Sequence, residues 1–122
     1  MRPQVIACLF MLLTPALAAD PDRWEALSQE AARLTAQGYF VSALPVAVRA
    51  LEEARQFGTE DPRFVDSLIS TGVLSHHLGK PREAEQALRQ GISIVRGRPG
   101  REEALSKLLD ILATLYYPKN GS

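Results

Sequence analysis

The side chains best equipped for chemistry are His76-His77, the hydroxyls Ser67, Ser70, Thr71 and Ser75 just before them, and the carboxylate pairs Glu52-Glu53 and Glu102-Glu103. Two histidines could begin a zinc site, but neighbouring residues on a helix point about 100° apart. A structural site also needs further ligands, and the single cysteine, Cys8, lies far away in the chain. The expectation is therefore one ring facing a groove and one facing solvent. A nucleophilic hydroxyl needs a base that is itself held by a third group, and no such order is legible around the histidines. No strand pattern precedes a glycine-rich turn, so no phosphate loop is present. The paired carboxylates sit at positions typical of solvated helix faces. No enzyme, cofactor or metal is expected.

The balance of the chain fits that reading. Its 122 residues suit one small domain. Lys and Arg number 14 against 14 Asp and Glu, which removes the basic footprint of a protein that works on nucleic acid or an anionic membrane. The apolar and charged fractions, 46% and 23%, are those of a folded globular chain.

Residues 1–18 read as a cleaved secretory signal. Arg2 supplies the positive charge, Val5 to Leu13 form an apolar run, Thr14-Pro15 break it, and Ala16-Leu17-Ala18 carry small residues at the cleavage positions. The run is shorter than the roughly 18–20 residues that span a bilayer, so no membrane span is expected in the mature chain. Residues 19–122 would then form the working domain, without cysteine and with 13 basic against 14 acidic residues. Localisation is expected to be exported, to the periplasm or, as the alternative, fully secreted.

A period of 41 residues organises that domain. Asp20-Pro21 falls on Asp61-Pro62, Leu27 on Leu68 and Leu109, Ala31 on Gly72 and Ala113, and Gly38 on Gly79. Later in the unit, Ala43 meets Ala84, Ala47 meets Leu88, Ala50 meets Gly91 and Leu51 meets Ile92. Each unit reads as a helical hairpin. Asp-Pro starts helix A, because Asp caps free N–H groups and Pro at the first position has no N–H to leave unpaired. Gly38 and Gly79 end it. Helix B then runs to about Phe57 and Gly58 in unit one, and from Pro81 to about Gly97 in unit two. The units are 20–60, 61–101 and a half unit, 102–122, whose single helix spans about Arg101 to Tyr117. Small residues such as Gly91 fall where helices would cross, so a close helix contact is expected there.

These residues resemble the tetratricopeptide repeat (TPR) superfamily. Leu-x3-Ala/Gly in helix A, Gly at the turn, Ala early in helix B and Ala/Gly followed by Leu/Ile late in helix B match its pattern, and Gly79 to Leu88 is the closest local match. The period of 41 and the Pro of Ala43-Leu44-Pro45-Val46 are similar to the longer kinesin-light-chain-type repeat. Pro81 stands where the family usually has an aromatic residue, and the Asn pair of the longer variant is absent. The resemblance implies an all-α, right-handed antiparallel helical-hairpin solenoid of about two and a half repeats and five helices. It also implies a concave groove, lined by A helices, that holds a protein or peptide partner.

Carrying the family's inward-facing positions across gives Glu25, Ser28, Ala32 and Thr35 in unit one. Unit two contributes Asp66, Ile69, Val73 and His76, and the half unit Lys107, Asp110, Thr114 and Tyr117. The Lys, Asn and Arg set that clamps a C-terminal carboxylate in some members is missing, which disfavours a chaperone-tail ligand.

The last helix carries a second expectation. Leu105, Leu108, Leu109, Ile111, Leu112, Leu115 and Tyr116 span about 200° of a helical wheel, where one packing face needs somewhat more than about 100°. Part of this arc, with Leu105, Leu108, Leu112, Leu115 and Tyr116 at its centre, is expected to meet a partner protein or a second copy in a homodimer. Together the expectations describe an exported scaffold or adaptor that binds a partner in the cell envelope. The alternative is a small structural subunit packed permanently in a larger envelope assembly.

Overall fold

The computed structural model describes residues 19–117. The expected signal (residues 1–18) and the closing Pro118 and Asn120-Gly121 lie outside the described residues. Within them the chain is all-helical: α1 (Pro21–Ala36), α2 (Phe40–Arg55), α3 (Pro62–His77), α4 (Pro81–Val95) and α5 (Glu102–Tyr116).

The sequence signals that start and stop these helices do so by identifiable contacts. Asp20 Oδ1 accepts from the backbone N–H groups of Asp22 (3.0 Å) and Arg23 (3.3 Å), and Asp61 Oδ1 accepts from that of Arg63 (2.9 Å). Each of these aspartates precedes a Pro at the first helical turn. The A helices of units one and two end alike. Gly38 and Gly79 adopt φ of +81° and +71°, which lets the next residue turn back on the helix. Tyr39 N–H reaches Leu34 O at 2.9 Å, and Lys80 N–H reaches Ser75 O at 2.8 Å. Both are Schellman closures. Helix α2 ends earlier than expected, at Arg55, and Gln56 and Phe57 belong to the turn that leads into Gly58.

Each helix packs on its neighbours in sequence, and α1 touches α3 as α3 touches α5, while α2 and α4 stay apart. Helices A thus converge on one side of the stack and helices B splay on the other. That is a helical-hairpin solenoid with a concave side built from α1, α3 and α5.

The cores of the two unit junctions differ. Between units two and three, Val65, Ile69, Leu88, Ile92, Val95, Leu108 and Leu112 form a buried aliphatic cluster. Between units one and two the buried residues are mostly small: Ala31, Ala43 and Ala47 with Leu74, and Ala54 with Phe64 and Leu68. The expected close contact at Gly91 is present, because a Cβ there would lie 2.9 Å from Leu108 Cδ2. Gly72 meets Leu88 in the same way, at 3.1 Å from Cγ. The loops between units are tied together across the stack. Arg98 Nη2 donates to Glu60 Oε1 at 2.6 Å, and Arg101 Nη1 donates to Glu60 O at 3.2 Å.

Candidate partner-binding groove

The concave side holds a cavity of about 380 Å³ framed by all three A helices. Its walls are Ala31, Ala32, Thr35 and Ala36 from α1, Ile69, Ser70, Val73 and Leu74 from α3, and Lys107 and Ile111 from α5. Helical spacing explains the set: Ala32 and Ala36, and Ile69 and Val73, are i and i+4 pairs that share a helix face. The Thr35 hydroxyl donates to Ala31 O at 2.6 Å, so it closes on its own helix. Ile69 is only 6% exposed and contributes the floor. Lys107 is the one charged side chain of this wall.

Of the expected groove residues, Ala32, Thr35, Ile69, Val73 and Lys107 line this cavity together. Ser28 and Asp66 line a smaller one beside it, of about 100 Å³, with Trp24, Ala31, Ala47, Ala50, Ser67 and Ser70. Asp66 and Lys107 also meet in a third, polar depression with Arg101 and Glu103. Asp110, Thr114 and Tyr117 line a separate depression at the far end of α5. Glu25 and His76 line none of these. Glu25 instead accepts from Gln29 Nε2 at 2.8 Å. Ala31, Ala36 and Leu74 line the groove without having been expected there, and so do Ser70 and Ile111. Ser70 and Ile111 are one register pair, 41 residues apart, and sit one position further round than the carried-over residues. Their common register is the signal that could have found them.

The histidines do not divide as expected between groove and solvent. Both are exposed. The His77 ring stacks flat on Phe40 of α2, with centroids 4.4 Å apart and planes 6° apart, and His76 tilts against His77 at 5.9 Å. Among the described residues no group of three or more His, Cys, Asp or Glu is placed to hold a metal ion. The nearby hydroxyls serve the fold: Ser67 Oγ accepts from Trp24 Nε1 at 2.9 Å, and Thr71 donates to Ser67 O at 2.7 Å.

Asp66 has the one shifted carboxyl on the concave side. It keeps contact with solvent, yet desolvation by the surrounding walls pushes its pKa above the ordinary carboxylate value. Lys107 and Arg101 pull the other way, and the negative charge of Asp61 adds to the rise.

The expected interface on α5 needs correction. Leu108 is fully buried and Leu112 is 8% exposed, both inside the aliphatic cluster, so neither can meet a partner. The wide apolar arc arises because α5 packs on α3 as well as α4. Leu105 and Leu115 are half-buried against the same cluster. Tyr116 is half-exposed, and its hydroxyl donates to Glu85 Oε1 of α4 at 2.5 Å while accepting from Arg89 Nη2 at 3.2 Å. With Arg89, that hydroxyl holds the Glu85 carboxyl below its usual range. What stays open on this helix is Leu109, half of the Tyr116 ring and, just past its end, Tyr117.

One apolar surface went unnoticed in the sequence. Val41, Pro45 and Val48 recur at i, i+4 and i+7 on the outer face of α2, and all three are exposed. Their equivalents 41 residues on are Arg82, Gln86 and Arg89. No helix among the described residues is long and apolar enough to cross a membrane. Comparison with family models, with characterised proteins and with solved structures matches none of them to this chain.

Proposed function

We propose that this chain is a non-catalytic, exported TPR-like scaffold that binds a protein or peptide segment in its concave groove, in the periplasm. The observation that carries the reading is the 380 Å³ cavity built from three consecutive A helices, apolar at Ile69, Val73 and Ile111 and charged only at Lys107. Pockets that bind ligands combine an apolar surface with a few polar groups that fix orientation, and a stack of rigid hairpins holds such a surface open without a lid. The period of 41, the paired Schellman turns and the Leu-x3-Ala/Gly spacing support the family assignment, with the right-handed coil that it implies. The order of charge, apolar run and small residues in positions 1–18 supports export.

A second reading has its own observation. Leu109, 43% exposed, and Tyr117, 79% exposed, leave an apolar margin on α5 that suits a permanent neighbour in a larger envelope assembly, or a second copy. Crosslinked pull-down from native envelopes separates the two. The scaffold reading expects Val73→Glu to abolish recovery of the partner and Leu109→Glu to leave it intact. The opposite pattern favours the structural-subunit reading.

A further inference from the structure

The small cavity beside the groove has a counterpart in the same molecule. Advancing its wall by 41 residues turns Trp24 into Val65, Ser28 into Ile69, Ala47 into Leu88, Ser67 into Leu108 and Ser70 into Ile111, while Ala31 and Ala50 become Gly72 and Gly91 and Asp66 becomes Lys107. Val65, Ile69, Leu88 and Leu108 belong to the aliphatic cluster that fills the junction of units two and three, and Ile111 packs against it. The same positions therefore carry packed aliphatic side chains in one junction and border a hollow in the other. The filled junction also shows what shape belongs there: Leu88 lies against Gly72, at 3.1 Å from where its Cβ would be, where unit one sets Ala47 near Ala31.

The hollow holds about 100 Å³, several times the roughly 10–15 Å³ that one water needs. Its wall is mainly methyl and indole surface, which holds water poorly. Ser67 is already engaged by Trp24, so it offers little to a polar guest. Ala31 and Ser70 are walls of both this hollow and the groove, so the two adjoin.

We propose that the junction of units one and two is a side-chain socket that takes one aliphatic residue, leucine or methionine in size, from a segment lying in the concave groove. The proposal rests on the groove reading, since the segment bound there supplies the guest. The socket gives that groove its specificity: the incoming side chain completes the core that Leu88 completes in the next unit. Ser28 and Asp66 stand on the socket wall beside it, where they can meet the guest's polar backbone.

Trp24 is the only tryptophan in the chain, so its indole N–H gives a single reporter resonance on the socket wall. The test titrates the protein with N-acetyl-leucinamide and, separately, N-acetyl-alaninamide, and follows that resonance by NMR. The leucine probe is expected to shift it saturably and the alanine probe to bind about tenfold more weakly or worse, the discrimination expected when an apolar pocket loses methylene contacts. Ser28→Ile and the pair Ala31→Gly with Ala47→Leu fill the socket from different walls with the residues of unit two, and both should abolish the leucine response. Equal responses to the two probes, or a leucine response that survives in a folded filled variant, would overturn the proposal. So would failure of both filled variants to fold, since the space would then not exist. Neither probe is a peptide, so a leucine response with no partner in the groove defeats the groove reading alone. A partner in the groove with no leucine response defeats the socket alone.

Discussion

Gly91 on α4 faces Leu108 on α5 so closely that a Cβ added to the glycine would lie 2.9 Å from Leu108 Cδ2 and 3.3 Å from Cδ1. Leu108 is fully buried, so its methyl groups can yield only by displacing the side chains packed around them. Alanine would gain about 1 kcal/mol in helix propensity, but overpacking a filled core typically costs about 1–3 kcal/mol. Gly91→Ala is expected to lose about 1 kcal/mol net, and Gly91→Leu about 3 kcal/mol or more. Denaturant melts check both. In a double-mutant cycle Leu108→Ala should cost less in the Gly91→Ala background than in the parent, and additive costs would remove the contact from the account.

The bond between Trp24 and Ser67 holds α1 to α3 across the hollow junction. Ser67 is 4% exposed, and its loss leaves the indole N–H without its partner. Ser67→Ala is expected to destabilise by about 1 kcal/mol. It should also move the tryptophan emission, because the indole changes its polar neighbour. Trp24→Phe in the Ser67→Ala background removes the orphaned donor, so the two changes should be less than additive.

The Asp66 carboxyl titrates above its ordinary value of 3.8, chiefly because the neighbouring walls partly desolvate a side chain that still meets solvent. A group whose folded pKa is raised binds its proton more tightly when folded, so its ionisation opposes folding. The cost is absent below the unfolded pKa, grows as pH rises and is complete above the folded pKa. Asp66→Asn is therefore expected to raise the melting temperature at pH 7 and to leave it unchanged near pH 3. Thermal melts across that interval check the sign, and a variant equally altered at both ends would assign the effect to packing instead.

Helix order was legible in the sequence because it is set locally. Asp20 and Asp61 cap before Pro, Gly38 and Gly79 permit the left-handed turn, and each acts within a few residues of its place in the chain. The groove was legible only in part, because which side of α3 faces inward depends on how α1 and α5 lean against it. Ile69 and Val73 follow from the inward-facing positions that the family resemblance implies, whereas Ser70 and Ile111 lie one step outside that set. The stack of His77 on Phe40 joins two helices and left no trace in spacing. The wide apolar arc of α5 was visible, but its cause was not: Leu108 and Leu112 serve two neighbours within the chain and leave little for a partner. The hollow at Ala47 appears only when packing shows which residues of each unit share a wall.

On the proposed function, this chain meets its partner in the concave groove. A photo-crosslinking residue placed at position 73 in the groove, and in parallel at positions 48 and 93 on the outer faces of α2 and α4 and at position 109 on α5, tests it in living cells. A discrete adduct is expected at position 73, lost when Ile69→Asp is added, and none at 48, 93 or 109. Adducts at 109 or 48 with nothing at 73 would contradict that reading.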